Sequence, residues 1–394
     1  YGARADFELT LENRSLESIE FGVRYTKDTI DSVRTNILDV GGDLTADELY
    51  NIGQAGIREN NVDYNFYPGE GVFNDFPDGD LDVFYDMVPA LGQRNELGVA
   101  PASSFAYEEK VLAFYGEGNM IGEMFGLDYS ANFGLRAVNV KFTGEGARIN
   151  PDGSVTPTST SNDYWELLPS GNLSLDLEED LTLRLGAAKV MSRPNPSDLV
   201  PREAANQPSS PGDIPSGQRG NATLDPTISY IFDATLEYYN DFEGAYVMSV
   251  FYKDVNDFIF PITTRETLPG QGDTIFNVRT PDNFSDGNVV GFEVGFNQPF
   301  TFLGDALSGF GLQANYTYSE SEFDKYVCYN GFSFPGSSKN NFNSILYFEQ
   351  GGFGVRLSYI FRDDYFRNLP GQGAQAENTS AVFTESDQRV NMNA

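Results

Sequence analysis

The sequence predicts an all-β protein, an antiparallel up-and-down transmembrane β-barrel, and three observations support this fold class. First, about thirteen segments alternate apolar and polar residues with the period of two that is typical of β-strands. Second, the connections between these segments alternate between short turns and long loops, as in outer-membrane barrels with short periplasmic turns and long extracellular loops. Third, the composition is rich in strand-forming aromatics, with Tyr 22 and Phe 32, and no apolar run approaches the roughly 18 residues of a membrane helix.

The clearest strand pair lies in residues 220–260. In its first run Tyr230, Phe232, Leu236 and Tyr238 share one face, and Asp233 with Glu237 lies on the other. A polar turn at residues 240–243 leads to a second run with the same period. The pattern predicts a long hairpin with a periplasmic turn, an apolar face toward lipid and a polar face toward the lumen.

The other predicted strands follow in chain order. Those before the hairpin are residues 3–11, 19–26, 109–116, 127–140, 172–177 and 181–186. Those after it are residues 290–296, 310–318, 340–349, 353–362 and a strand that begins at 387. Long extracellular loops are expected at 31–104, 193–226 and 261–287. Within the first loop, the capping-box spacing of Thr45 and Glu48 predicts a short helix over residues 45–57.

Charge and composition exclude several functions. The chain has 58 acidic and 25 basic residues, a formal charge of −33, which repels a phosphate backbone and argues against nucleic-acid binding. It contains no histidine, so a Ser/His/Asp triad, a Cys/His pair and a His-based zinc site are all absent from the chain. We therefore expect no enzymatic activity and no cofactor, apart from a structural calcium ion considered below.

Several motifs in combination resemble the barrel of TonB-dependent outer-membrane receptors. They are LPSGNLSLDL from Leu168, the strand end SRP at Ser192, the loop GNATLDP from Gly220, FYKDVNDFI from Phe251 and GGFGVRLSYIFRDDY from Gly351. The resemblance implies a 22-stranded barrel with a plugged lumen in the bacterial outer membrane. It also implies active import of a scarce nutrient, powered by the TonB complex acting through the plug.

The resemblance further sets expectations for domains and partners. Residues 1–394 are expected to form part of one receptor barrel domain, with the plug and several strands before Tyr1 and further strands after Ala394, because about thirteen strands fall short of the family barrel. The expected partners are outer-membrane lipid, the TonB complex, a small-molecule nutrient and a surface lipoprotein or other membrane protein.

An oligosaccharide is the expected nutrient, because this variety of barrel resembles carbohydrate receptors and the acidic balance disfavours strongly anionic ferric siderophores. A siderophore or vitamin receptor of the same family is the alternative. Two other classes stay open at this stage: a passive structural or adhesive barrel, and a soluble glycan-binding β-sandwich.

Candidate site residues lie in the first long loop and at one strand end. Four acids near a glycine could coordinate calcium, with a solvated acidic loop as the alternative: Asp75, Asp78, Asp80 and Asp82. The loop aromatics could stack on a ligand or pack the loop against itself: Tyr64, Phe66, Tyr67, Phe73 and Phe76. Trp165, the only tryptophan, is expected at the membrane interface first and as a stacking residue second.

Four arginines are predicted on lumen faces, where they would pair with lumen acids or touch the plug. They are Arg24, Arg136, Arg184 and Arg356, and the acids considered for them are Glu20, Asp176 and Glu293.

Overall fold

A computed structural model describes most of the chain. The described residues are 1–11, 15–37, 57–58, 78–79, 97–99, 103–150, 154–206, 213–304, 307–324, 333–368 and 382–393. They fall into two compact units, one formed by Tyr1–Asp31 with Phe105–Ala394 and the other by Ser32–Ser104. Within the described ranges, no helix is long and apolar enough to cross a membrane.

The first unit is built on one large sheet. Its strands up to the midpoint are β1 (Gly2–Thr10), β2 (Leu16–Ser32), β7 (Phe105–Met124), β8 (Leu127–Ile149), β9 (Val155–Glu178), β10 (Leu181–Ser192), β11 (Glu203–Asn206) and β12 (Ser216–Arg219). The later ones are β13 (Thr227–Tyr239), β14 (Ala245–Thr267), β15 (Ile275–Pro299), β16 (Phe310–Phe323), β17 (Asn340–Gln350), β18 (Phe353–Arg362) and β21 (Asp387–Asn393). A separate pair consists of β19 (Tyr365–Asn368) and β20 (Val382–Thr384).

The main strands follow one another in chain order, as the alternating turns and loops predict. The path runs β1-β2-β7-β8-β9-β10-β13-β14-β15-β16-β17-β18-β21, and β11 and β12 lie off it. Neighbouring strands along the path pair in antiparallel fashion, for example β13 with β14 from Ile228↔Asn256 to Tyr239↔Ala245. This is the up-and-down antiparallel topology that the sequence predicts.

The two faces of the sheet differ in the way the alternation predicts. On β8 the interior face buries Val138, Val140 and Phe142, while Phe133 and Leu135 on the other face are exposed. On β13 Phe232 and Leu236 are likewise exposed on the outward face. Large apolar side chains that point away from the interior of a β-barrel are those that contact lipid.

The strand ends at the predicted periplasmic side are joined by short turns. β7 and β8 meet through Phe125 and Gly126, which have φ angles of 57° and 82°. Two successive residues with positive φ are those of the tight hairpin turn that matches strand twist. At the next-but-one turn Asn240 accepts from the Phe242 and Gly244 amides at 3.0 and 2.8 Å, which closes the predicted hairpin.

β14 and β15 are much longer than the sequence pattern predicts. The expected loop at 261–287 is wrong, since β14 continues to Thr267 and β15 begins at Ile275. The prolines that suggested a loop, Pro261 and Pro281, lie directly opposite each other in the pair. Each therefore meets a partner position that also lacks an N–H, so the ladder continues on either side of them.

The connection between β10 and β13 folds back against the interior of the sheet instead of remaining an irregular loop. It contains one helical turn, Pro196–Leu199, and then the β11–β12 hairpin. β11 pairs in parallel with β8 at Glu203↔Arg148, and β12 pairs in parallel with β15 from Ser216↔Asn277 to Gln218↔Arg279. The hairpin thus joins two strands that are five pairings apart along the sheet.

The apolar core of this connection is small. Leu199, Val200 and Leu224 are buried against Tyr107 and Phe142 of β7 and β8. Residues without a side chain make room for it, because a Cβ on Gly146 would come within 3.0 Å of Val200 Cγ1.

The described strands of the second unit form two short pairs. β3 (Thr35–Ile37) pairs with β6 (Leu97–Val99), and β4 (Ile57–Arg58) pairs with β5 (Asp78–Gly79). The helix predicted over residues 45–57 lies outside the described residues except for its last position, Ile57, which is in β4.

Candidate ligand-binding site

A cavity of about 650 Å³ lies where the β10–β13 connection meets β14 and β15. Its polar side carries four arginines: Arg193, Arg202, Arg219 and Arg279. Its apolar side includes Phe258, Ile259 and Phe334. Asp198 is the one acidic residue that the described part of the chain contributes to the lining. Four guanidinium groups at one cavity are unusual in a chain with 25 basic and 58 acidic residues.

Two of the four arginines are paired with carboxylates behind them. Arg219 lies 3.2 Å from Glu266, and Arg193 forms an ion pair with Glu109. Glu109 is buried and accepts a 2.9 Å hydrogen bond from the Tyr107 hydroxyl. Burial raises the pKa of Tyr107 to about 12, so this hydroxyl keeps its proton and continues to donate.

The other two arginines carry charge that no carboxylate among the described residues pairs. The Arg202 guanidinium lies 5.6 Å from the centre of the Phe105 ring, an arrangement that favours a cation but does not neutralise it. Arg279 is exposed on β15. Because Asp198 is the only acid beside them among the described residues, Arg202 and Arg279 leave the described part of the cavity with an excess of positive charge. The arrangement suits an anion, since guanidinium groups bind carboxylate, phenolate and phosphate oxygens with paired N–H donors.

The aromatic side of the cavity is placed by an irregularity in β14. The register with β15 shifts between Val255 and Phe258, and Asp257 has a φ of 57°. An extra residue in one strand bends it and changes the direction of the side chains that follow. After the shift, Phe258 packs on Phe334 at 5.0 Å between ring centres.

The side chain of Asn283 on β15 stabilises this bend and the end of the connection together. Its Nδ2 donates to the carbonyls of Asp257 at 2.9 Å and Asp225 at 3.0 Å. Its Oδ1 accepts from the Asp225 amide at 2.9 Å. Thr227 donates to the same Asp257 carbonyl at 3.0 Å. Every one of these contacts is to backbone, so Asn283 fixes chain direction rather than another side chain.

Most of the sequence-predicted site residues are not among the described residues. Tyr64, Phe66, Tyr67, Phe73 and Phe76 lie outside them, as do Asp75, Asp80 and Asp82. Asp78 belongs to the short strand β5. Ligand stacking and calcium binding by the first long loop therefore stay predictions. In the described part of the chain, no group of three or more Cys, Asp or Glu is arranged to hold a metal ion.

Trp165 lies on β9 with its side chain 57 % exposed. It is opposite Asn139 and on the same face as Leu167, which is also exposed. This is the outward face, and the location of Trp165 at the membrane interface stays a prediction. It does not line the arginine cavity.

Two of the four predicted lumen arginines, Arg184 and Arg356, pair with acids other than those considered from the sequence. Arg184 lies 3.0 Å from Glu237 on β13 and donates to Ser174 on β9 at 3.1 Å. Arg356 lies 2.7 Å from Glu349 on β17. Asp176 instead accepts a hydrogen bond from Thr182 at 3.1 Å.

The family model described as "TonB dependent receptor-like, beta-barrel" matches residues 1–393, nearly the whole chain. The chain belongs to this family of receptor barrels. The family is one of bacterial outer-membrane proteins, which agrees with the outward apolar face described above, and its members are receptors and transporters rather than enzymes. No curated protein matches the chain.

Solved structures of such receptors share the fold at low sequence identity. The ferric-catecholate import receptor Fiu from E. coli K12 is similar with a TM-score of 0.60 and 12 % identity over 99 % of this chain and 47 % of that one. The ferric citrate transporter FecA gives 0.56 and 12 % over 99 % and 45 %. The iron transporter FrpB from Neisseria meningitidis gives 0.53 and 12 % over 99 % and 46 %. The chain thus spans about half the length of the structures that it matches.

Proposed function

We propose that this receptor barrel belongs to an outer-membrane transporter that imports an anionic iron chelate of the siderophore type, with TonB as the energy-coupling partner. The observation that carries the proposal is the excess of guanidinium charge in the cavity formed by the β10–β13 connection, β14 and β15. An iron chelate with carboxylate or catecholate oxygens would supply the negatively charged partner that Arg202 and Arg279 do not have among the described residues. The aromatic side chains opposite, Phe258 and Phe334, would contact the apolar parts of such a ligand.

The known receptors of similar structure support the same substrate class over a sugar. They are a ferric-catecholate import receptor, a ferric citrate transporter and an iron transporter. The oligosaccharide expected from the sequence has no comparable support, and the alternative, a siderophore, is better supported. A neutral sugar would also leave Arg202 and Arg279 without an anionic partner, so the strong charged hydrogen bonds that their guanidinium groups can donate would not form.

Direct binding measurements on the full-length receptor test the proposal. Ferric citrate, ferric enterobactin and the neutral sugar maltoheptaose are titrated against the detergent-purified protein, with intrinsic fluorescence as the readout. We expect one of the iron chelates to bind and Arg279→Gln to weaken it roughly tenfold or more, because a charged hydrogen bond contributes about 1.5–3 kcal/mol. Arg356→Gln, which removes an arginine of β18 that is paired with Glu349, is the matched control.

Two outcomes would contradict the proposal. Saturable binding of maltoheptaose without binding of either chelate would restore the oligosaccharide interpretation. Equal affinity of the wild type and Arg279→Gln for a bound chelate would show that the cavity is not its site.

A further inference from the structure

Three lysines meet on neighbouring strands of the outward face. Lys27 of β2 lies 2.5 Å from Glu108 of β7, and Lys110 of β7 lies 2.7 Å from the other oxygen of the same carboxylate. Lys141 of β8 is directly opposite Lys110 in the β7–β8 register. The chain has only seven lysines, so three of them in one place form a local concentration of ammonium groups.

These lysines are on the side of the sheet that faces the membrane. On β8 the exposed Lys141 lies on the same face as the exposed Phe133 and Leu135, whereas Val140 and Phe142 on either side of Lys141 are buried in the interior. On β7 Lys110 lies on the same face as the exposed Phe114, and the buried Glu109 lies on the opposite face. The lysines therefore do not reach the lumen or the arginine cavity.

The position of Lys110 and Lys141 along the membrane normal is at the outer boundary of the apolar band. The row formed by Phe114, Ala137 and Leu167 is apolar, and the next row outward contains Trp165. Lys110 and Lys141 form the row after that. Lys141 follows Leu127, the first residue of β8, by 14 positions. At about 3.3 Å per residue and a tilt of about 40°, this is roughly 35 Å along the membrane normal, beyond an apolar band about 25 Å tall.

The charges within the cluster are not balanced. Like charges directly opposite each other on paired strands are destabilising, and Lys110 and Lys141 are such a pair. Glu108 is shared between Lys110 and Lys27, whose hydrogen bonds hold its pKa at about 2, so it is ionised at neutral pH. On the other side of Lys141 is Asp163, which accepts a 2.6 Å hydrogen bond from Asn139. No carboxylate among the described residues forms an ion pair with Lys141.

We propose that Lys110 and Lys141, supported by Lys27, bind the phosphate group of a phosphorylated lipid in the outer leaflet of the membrane. A phosphate between Lys110 and Lys141 would turn a repulsive pair into a bridged one. Lysine is suited to this task because its ammonium group acts as a mobile point charge toward phosphate. The acyl chains of such a lipid would lie along the exposed apolar side chains one and two rows below, which include Leu135 and Phe114.

The position favours a membrane lipid over a soluble anion. The cluster is at headgroup height beside an exposed tryptophan, and basic residues next to an apolar span bind anionic headgroups. A soluble anion would have only a shallow, open surface to bind. Because the cluster is on the opposite side of the sheet from the cavity, this inference does not depend on the proposed substrate.

Native mass spectrometry of the full-length receptor in a neutral detergent tests the inference. The protein is incubated with a diphosphorylated glycolipid or with the same glycolipid after removal of both phosphates. We expect the wild type to retain the phosphorylated form at least roughly tenfold better, and Lys110→Gln with Lys141→Gln to lose this preference. Lys339→Gln removes an exposed lysine that pairs with Glu320 elsewhere on the sheet, and it should retain the preference.

Heat-modifiable migration on gels shows whether each variant is folded, and Lys110→Arg with Lys141→Arg keeps the charge if the glutamine variant fails to fold. The arginine variant should retain the phosphorylated lipid. Equal retention of the two lipids by the wild type, or an undiminished preference in the folded glutamine variant, would overturn the inference.

Discussion

Asn283 shows how one side chain can determine the shape of a binding cavity without contacting its ligand. Its side-chain amide forms hydrogen bonds with the backbone N–H and C=O of Asp225, as a neighbouring strand would. It also donates to the carbonyl of Asp257, the residue at the bend of β14. A non-glycine residue with positive φ persists only where its surroundings hold it there. The direction of Phe258 and the position of the β10–β13 connection therefore depend on the same amide group.

We predict that Asn283→Ala lowers the free energy of unfolding by about 2 kcal/mol, because backbone groups of Asp225 and Asp257 lose their partner. The variant should also bind the iron chelate more weakly, since Phe258 is no longer held toward the cavity. Thermal unfolding and fluorescence titration measure the two effects. Asn288→Ala on the same strand is the control. Unchanged stability together with unchanged affinity would show that the bend holds without Asn283.

The arginine cavity could not be predicted from the sequence because its residues come from distant positions. Arg193, Arg202, Arg219 and Arg279 are unremarkable within their own segments, and only the fold of the connection onto β15 brings them together. Sequence reasoning instead selected sites with high local density, namely the acids and aromatics of residues 64–82. The lumen arginines illustrate a related limit. Alternation predicts the face of Arg184, but its partner Glu237 depends on the register between β10 and β13.

Strand existence and order follow from the sequence at the scale of elements, and strand length does not. The alternation of polar and apolar residues requires one face in lipid, so it is clear only where a strand crosses the membrane. Beyond that height both faces contact water or other protein, and the pattern fades. The outer halves of β14 and β15 are of this kind, and they include Phe276 and Val278, which are buried against the β11–β12 hairpin region with Leu268.

The β11–β12 hairpin is held at both edges and so differs from a loop that is free to open. From β8 to β15 there are three strand pairings through the hairpin and five along the main sheet. At about 4.8 Å per pairing, the path through the hairpin is about 14 Å long and the path along the main sheet is about 24 Å long. The hairpin is therefore the shorter connection between β8 and β15 across the curved sheet. Because backbone hydrogen bonds hold the hairpin to β8 at one edge and to β15 at the other, Arg202 and Arg219 are fixed in position before any ligand binds.

A crosslink between the hairpin and β15 tests this pre-organisation. Ser216 and Asn277 are partners in the parallel pair. Paired strands lie about 4.8 Å apart, which is within the range that a disulfide spans. In a Cys328→Ser background, we predict that oxidised Ser216→Cys/Asn277→Cys protein binds the iron chelate within about twofold of its reduced form, because the bond fixes a contact that already exists. Loss of binding on oxidation and recovery on reduction would instead identify the hairpin as a segment that must move.

At the scale of the whole molecule, net charge and local charge lead to opposite expectations about the ligand. The formal charge of −33 disfavours anions, and residues 32–104 contribute thirteen acids against three arginines. Fields from exposed charges fade over about 8 Å at physiological ionic strength, however, so the excess charge of Arg202 and Arg279 dominates within the cavity. This is why total composition excludes a nucleic-acid partner, which contacts a large surface, but does not exclude a small anionic ligand.

The same contrast gives a kinetic prediction for the binding of an anionic iron chelate. At long range the ligand meets a strongly negative protein, so added salt should screen repulsion and raise the association rate constant as NaCl increases from about 20 to 150 mM. At short range salt weakens the contacts with guanidinium groups, so the dissociation rate constant should rise as well. Stopped-flow fluorescence with the full-length receptor separates the two constants, with a neutral ligand analogue as the control. An association rate constant that falls with salt would mean that the arginines steer the ligand from a distance, and that the acidic residues do not face its approach.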